Sequence, residues 1–158
     1  MTDDLVSRVA RLPFFAELTP AHLGELCAVA RPGSYPAGER VFAEGDVADR
    51  FWLIEAGSAA LDLRVPGRGD QVIETLTAGS VLGWSWLHAP YRWQFGAVAR
   101  ERLDTIEFDG VSVRERCEAD QAFGYAMLRL FLPVVTERLH ATRLRLLDLY
   151  ATPAEAAS

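Results

Sequence analysis

Hydrophobic and polar positions divide the chain into three textures. In the first, Leu23, Leu26, Cys27 and Ala30 recur at helical spacing. Thr19-Pro20 opens that helix as an N-cap followed by proline at the first helical position, where the missing N–H costs nothing. Arg31-Pro32-Gly33 closes it. Ahead of it, Leu12-Pro13-Phe14-Phe15 is an apolar knot expected to pack onto the main body. Residues 1–33 therefore read as a helical N-terminal segment.

From 34 to 110 short β-rich runs alternate with turn signals such as Pro36-Ala37-Gly38, Glu44-Gly45-Asp46 and Glu55-Ala56-Gly57. The runs cover 40–42, 51–54, 59–65, 71–76, 81–82, 94–99 and 104–108. Leu61, Leu63 and Val65 alternate with Asp62 and Arg64, the period of a half-buried strand. Many short strands with glycine turns predict an antiparallel sandwich or barrel.

The third texture, 111–150, is helical again. Ser112-Val113-Arg114-Glu115 has the pattern of a capping box and predicts a short helix ending near Asp120. A long helix follows from about Gln121 to Tyr150, leaving 151–158 as an Ala-rich tail. Leu128, Leu132, Val135, Leu139, Thr142, Leu146 and Leu149 make a seam of heptad spacing, broken by Thr142. Phe123, Met127, Leu130, Phe131 and Val134 make a second apolar face. A helix apolar around most of its circumference needs cover on both sides. The β-body can supply one; a second copy of the helix, in a parallel homodimer, is the expected other. Pro133 removes one backbone hydrogen bond and predicts a kink.

Within the β-region, three of the four tryptophans fall in ten residues: Gly83-Trp84-Ser85-Trp86-Leu87-His88-Ala89-Pro90-Tyr91-Arg92-Trp93. The run predicts a loop or a very short helix. Two readings stand side by side. The rings fill the end of the barrel, or they grip a flat ligand or a cation.

Charge narrows the function classes. The net charge is −6, and all sixteen basic side chains are arginine. An acidic chain argues against non-specific nucleic-acid binding, which rests on neutralising phosphates. Two distant cysteines, Cys27 and Cys117, and no signal-peptide pattern point to a reducing cytoplasm. No apolar run is long enough to span a bilayer. His22, His88 and His140 lie far apart, so no metal site is expected. Only His88 falls in the β-region, which argues against a jelly-roll metal enzyme. No catalytic set or cofactor motif stands out, and no enzyme activity is expected. Glu44 and Asp46 fall in a turn, where a stabilising role is expected. Cys117, beside Arg114 and Arg116, is either an activated thiol or a packing residue. Arg138, Arg143 and Arg145, with Leu144, Leu147 and Tyr150, form either a protein-docking stripe or a solvated helix face.

Several local motifs carry a resemblance. Leu12-Pro13-Phe14-Phe15-Ala16-Glu17-Leu18, the run Tyr35-Pro36-Ala37-Gly38-Glu39-Arg40-Val41-Phe42-Ala43-Glu44-Gly45-Asp46, and Phe51-Trp52-Leu53-Ile54-Glu55-Ala56-Gly57 resemble successive segments of the cyclic-nucleotide-binding domain of catabolite-activator and fumarate-nitrate regulators. The resemblance implies a mainly β fold with flanking helices. Its core would be an antiparallel β-roll, or jelly roll, of about eight strands, with an N-terminal helix and a long C-terminal dimerisation helix.

The same resemblance puts the tryptophan run in the phosphate-binding cassette. There the family has a Gly-Glu pair, whose glutamate holds the ribose, and an arginine that holds the cyclic phosphate. Gly83 fits the glycine, but Trp84 stands in the glutamate slot. The arginine slot falls on Trp93 or Gln94, or with a small shift on Arg92. The candidate pocket residues are thus Gly83, Trp84, Ser85, Trp86, Tyr91, Arg92, Trp93 and Gln94. The departure from the pattern implies a degenerate pocket. The family's regulators continue into a DNA-reading helix-turn-helix, whereas eight residues follow Tyr150 here. The expectation is a stand-alone regulatory or scaffold module acting through a homodimer and an unidentified protein partner, not through DNA. The alternative is a small-molecule sensor using Arg92 and the tryptophans.

Overall fold

The computed structural model describes residues 2–157, with side chains for 4–151. Strand β3 (Arg50–Ala56) organises it. Its run Phe51-Trp52-Leu53-Ile54 is at most 1% exposed. Successive strand side chains point to opposite faces. Phe51 and Leu53 join a core shared with the helices, while Trp52 and Ile54 join a core between the sheets. A strand covered on both faces loses the polar alternation of a half-buried one.

The remaining strands are β1 (Ala30–Tyr35), β2 (Arg40–Phe42), β4 (Ser58–Val65), β5 (Gly69–Thr77), β6 (Val81–Leu82), β7 (Gly96–Ala99) and β8 (Leu103–Asp109). They form two four-stranded sheets, ordered β1-β8-β3-β6 and β2-β7-β4-β5. All pairings are antiparallel. This is the antiparallel sandwich that the strand pattern predicts and the β-roll that the resemblance implies.

Helices α1 (Thr2–Ala10), α2 (Pro20–Cys27), α3 (Gly110–Ala119) and α4 (Gln121–Ala157) flank the roll. Leu5, Val9, Leu26, Val113, Phe123, Met127 and Phe131 pack on Phe51, Leu53, Ile106 and Phe108 of the first sheet. The knot at Pro13–Phe15 is a 3-10 turn whose Phe15 and Phe14 rings meet at 4.9 Å, and Phe14 meets Phe131 at 5.6 Å. Thr19 caps α2 as expected, accepting the His22 N–H at 3.2 Å.

Four local expectations are corrected. Arg31-Pro32-Gly33 does not end a helix. It lies in β1, paired with β8 from Ala30↔Phe108 to Tyr35↔Leu103, so a boundary at 33 cuts a strand. β1 is an edge strand, where proline is tolerated. Ser112 does not cap α3. Asp109 does, accepting the N–H groups of Val111 and Ser112 at 3.1 and 3.2 Å. The helix starts earlier because Gly110 lets Trp86 and the Asp49–Arg50 backbone approach where a Cβ would meet them at 2.9–3.0 Å. Pro133 does not interrupt α4, which is helical throughout. Finally, α4 extends to Ala157, beyond the expected end at Tyr150. The side chains of the tail from 152 onward, and Ser158 altogether, lie outside the described residues.

Candidate functional site

The tryptophan run leaves β6 at Gly83, whose φ is +97°. A 3-10 turn over Ser85–Leu87 follows, as the very short helix that the pattern allows. The run then returns beside the loop after β2. Ala48 N–H donates to Tyr91 O at 2.8 Å, Trp93 N–H to Asp46 O at 2.9 Å and Gly45 N–H to Trp93 O at 2.9 Å. Val47 and Arg92 form a bridge. This zipper fixes which side chains turn inward. Trp93 is 4% exposed and lies in the core between the sheets, whereas Arg92 and Gln94 are exposed.

Inside the roll Trp93 stacks on Phe42, with centroids 4.0 Å apart and an interplanar angle of 22°. Phe42 stacks in turn on Trp52 at 5.3 Å. Trp52 Nε1 donates to the Tyr35 hydroxyl at 3.1 Å. Burial pushes that hydroxyl's pKa up from its ordinary value. The edge of the Trp93 ring rests on Gly83, where a Cβ would meet Cη2 and Cζ3 at 2.9 Å. The space left over is about 10 Å³, bounded by Phe42, Leu61, Trp84, Trp93, Phe95 and Arg138 among others. That is room for about one water molecule.

The other members of the run have different work. Trp86 is fully buried on the opposite side of the first sheet. It stacks on Phe51 at 4.8 Å and meets Phe131 edge-on at 5.2 Å. Its Nε1 is buried without a hydrogen-bond partner. Its carbonyl accepts from Arg114 Nη1, and the same guanidinium lies 3.8 Å above the Tyr91 ring. Tyr91 has φ +57°, so α3 clamps a residue held in the left-handed region. Trp84 is half-buried beside His88, and Ser85 is 3% exposed. The candidate residues thus do not converge on one cavity. Gly83, Trp84, Ser85, Trp93 and Gln94 border the small space, whereas Trp86, Tyr91 and Arg92 do not.

The seam residues divide similarly. Leu128, Leu132, Leu139 and Leu146 are 57%, 67%, 60% and 38% exposed, with Val135 and Thr142 intermediate. Leu149 is buried instead, at 9% exposure. The opposite face, Phe123, Met127, Leu130, Phe131 and Val134, is buried as its pattern predicts. The proposed arginine stripe is overturned. Arg138 is 4% exposed and pairs with Glu74 of β5, while Arg145 binds Asp148 at 2.9 Å and Gln71 at 3.2 Å. Of the three, Arg143 is fully on the exposed side.

Two other candidates resolve into ordinary roles. Glu44 accepts the Arg64 N–H at 3.1 Å and so ties its turn to β4. The Cys117 thiol is pushed up to about 11 by burial, then by Glu118 and Asp120. Arg114 gives it no help, being committed to Trp86 and Tyr91. The thiol is protonated at neutral pH, opposite to the activated state that nearby arginines would favour.

One cluster escapes the sequence reading. Glu107, 8% exposed, accepts from Arg31 Nε at 2.7 Å and Arg50 Nη1 at 2.6 Å, and Arg50 Nε also donates to Asp49 at 3.1 Å. The ladder lines a surface cleft of about 480 Å³. An acid inside the β8 run Thr105-Ile106-Glu107-Phe108 is the signal that marks it. Among the described residues no group of three or more His, Cys, Asp or Glu side chains is placed to hold a metal.

The family model described as a cyclic nucleotide-binding domain matches residues 32–120. The chain belongs to that family. A CRP-like cAMP-activated global transcriptional regulator of Mycobacterium tuberculosis is 24% identical over 144 residues, 91% of this chain and 62% of its own length. The chain therefore spans less than two thirds of that curated relative. A Geobacter metallireducens protein described as cyclic nucleotide-binding is 27% identical, with a TM-score of 0.77 over 85% of this chain and 97% of its own. A cyclic nucleotide-binding domain from Methylobacillus flagellatus shares the fold at 20% identity, with a TM-score of 0.75 over 93% and 83% of the two chains. Residues 83–93 lie within the matched span, and of the tryptophans there Trp93 is the one that joins the core between the sheets.

Proposed function

We propose that this domain is a non-catalytic regulatory or scaffold module that works without a cyclic nucleotide, by pairing α4 with a second copy and by contacting another protein. Trp93 supports this reading best. Its ring occupies the roll and leaves about 10 Å³, whereas a small-molecule pocket holds on the order of 300–1,000 Å³. A nucleotide would have to displace Trp93 from Phe42 and Trp52. It would then meet Trp84 where the resemblance implies a carboxylate for the ribose. Buried ligand hydroxyls and phosphates left unpaired cost on the order of several kcal/mol. Arg92, the nearest free-standing cation in the run, is exposed and does not border the cavity. That weighs against the sensor reading built on Arg92 and the tryptophans.

Pairing is supported by the exposed stripe from Leu128 to Leu146, about 27 Å long at 1.5 Å per residue. Two such stripes in parallel would set each leucine, and Thr142, against its own copy. The net charge of −6 weighs against duplex DNA as the partner of this domain. No helix among the described residues is long and apolar enough to cross a membrane, and both cysteines are free, which fits a reducing cytoplasm. Isothermal titration with cyclic AMP and cyclic GMP tests the reading. No binding tighter than roughly 100 μM is expected. A low-micromolar constant would overturn it.

A further inference from the structure

α4 is held to the body in two different ways along its length. Its first half is anchored by carbon: Phe123, Met127 and Phe131 are fully buried, and Leu130 and Val134 nearly so. Beyond Val134 the contacts turn polar. The Arg138 guanidinium pairs with Glu74 of β5, and Arg145 Nη2 donates to Gln71 at 3.2 Å. Leu149 is the buried hydrophobic of this half among the described residues.

Arg138 is 4% exposed, a rare place for an arginine side chain. A buried charge persists where it is paired and supported on all sides. Glu74 is the pair. The support is the aromatic filling of the roll, because Arg138 walls the same small space as Phe42, Leu61, Trp84 and Trp93. About 10 Å³ separates these residues, so Arg138 has little room to settle toward the roll, while on the other side it and Glu74 line an open cleft. Within α4, the Thr142 hydroxyl donates to Arg138 O, one turn back, at 2.7 Å.

We infer that Trp93 and the Arg138–Glu74 pair form one coupled latch. The ring inside the roll props Arg138 against Glu74, and that pair holds the second half of α4 on β5. It thereby sets the position of Leu139, Thr142 and Leu146 for pairing. The inference rests on the filled-pocket reading and adds a residue-level consequence: the Trp93 ring and the Glu74 charge are both needed to hold residues 138–149 in place. Because the ring is part of the chain, the latch is closed in every molecule. Losing either the ring or the Glu74 charge frees the second half of the helix while the first half stays anchored.

Hydrogen exchange read by mass spectrometry on the full chain tests this, comparing residues 123–134 with 138–149. The variants are Glu74→Gln, Trp93→Leu and Trp93→Ala, the last with and without millimolar indole. Exchange over 138–149 is expected to rise about tenfold or more in all three, the scale of a lost charge-assisted hydrogen bond. Exchange over 123–134 should stay within about twofold, as for an independently anchored unit. Indole should restore protection in Trp93→Ala and not in Glu74→Gln. If Trp93→Ala does not fold, Trp93→Leu carries the comparison. Unchanged exchange over 138–149 in the folded Trp93 variants, or loosening of both segments in step, overturns the latch. Nucleotide binding or a monomeric wild type would defeat the functional reading instead, and the exchange contrast is measured independently of either.

Discussion

Adding one methyl group at Gly83 probes the filled roll directly. The backbone there has φ +97°, and a Cβ would meet the far edge of the Trp93 ring at 2.9 Å. Gly83→Ala therefore carries two separable costs. Holding a non-glycine residue in that backbone region costs of order 1–3 kcal/mol. Forcing an extra carbon into a packed core costs about 1–3 kcal/mol more. Together they make about 2–6 kcal/mol, a large share of the roughly 5–15 kcal/mol that holds a domain folded. Urea unfolding followed by tryptophan fluorescence measures it as a fall in midpoint at constant slope. Trp93→Phe removes the two ring atoms that the methyl would strike. In that background the steric part vanishes and the backbone part remains. The double-mutant cycle should thus return a coupling of about 1–3 kcal/mol. A cost for Gly83→Ala below about 1 kcal/mol, within the range of ordinary surface changes, or zero coupling with Trp93, would refute the placement of this ring inside the roll.

Leu139→Glu sets a carboxylate at the middle of the exposed stripe, where pairing would bury it beside its own copy. The expected result is a fall in dimer affinity of at least about a hundredfold, seen by light scattering, with the monomer still folded. A wild type that is monomeric at micromolar concentration would remove the basis for the pairing proposal. Stability should also fall in alkali. Burial raises the pKa of the Cys27 and Cys117 thiols and of the Tyr35 hydroxyl, Cys117 from 9.0 to about 11. The folded chain keeps protons that the unfolded chain releases, so stability present below pH 9.0 is lost as pH rises toward about 11. A urea midpoint flat across that window, or one whose fall is untouched by Cys117→Ser, would contradict the assignment.

The roll was legible because its strands carry their burial in their spelling. Phe51-Trp52-Leu53-Ile54 is apolar throughout because both of its faces are covered, whereas in the alternating Leu61-Asp62-Leu63-Arg64 Leu61 alone is buried, a register shift against β5 falling between Leu61 and Asp62. β1 was hidden because Arg31-Pro32-Gly33 looks like a helix stop, and only pairing with β8 makes an edge strand of it. The helix-spacing pattern gave both apolar faces of α4. It could not show that Arg138 lies on the body side, because an arginine reads as surface until Glu74, distant in sequence on β5, comes beside it. Cys117 misled differently. Its neighbours Arg114 and Arg116 suggested an activated thiol, but Glu118 and Asp120 are as near in sequence and oppose it, and burial, which spacing does not display, is the larger cause.

The tryptophan run shows why residue type alone could not decide between plug and ligand grip. Trp86 and Trp93 lie seven residues apart and enter cores on opposite faces of the same sheet. What separates them is backbone. Gly83 and the turn over Ser85–Leu87 aim Trp86 toward Phe51 and Phe131, and the zipper with Gly45–Ala48 aims Trp93 toward Phe42 and Trp52. The zipper also leaves Arg92 exposed. One change of direction therefore separates the two neighbours: Arg92 stays outside the roll and the Trp93 ring enters it. With the ring in place the space left in the roll is about 10 Å³, and Arg138, on the helix that carries the exposed stripe, borders it. A chain built this way keeps the family's architecture while making the interior a fixed part of the fold.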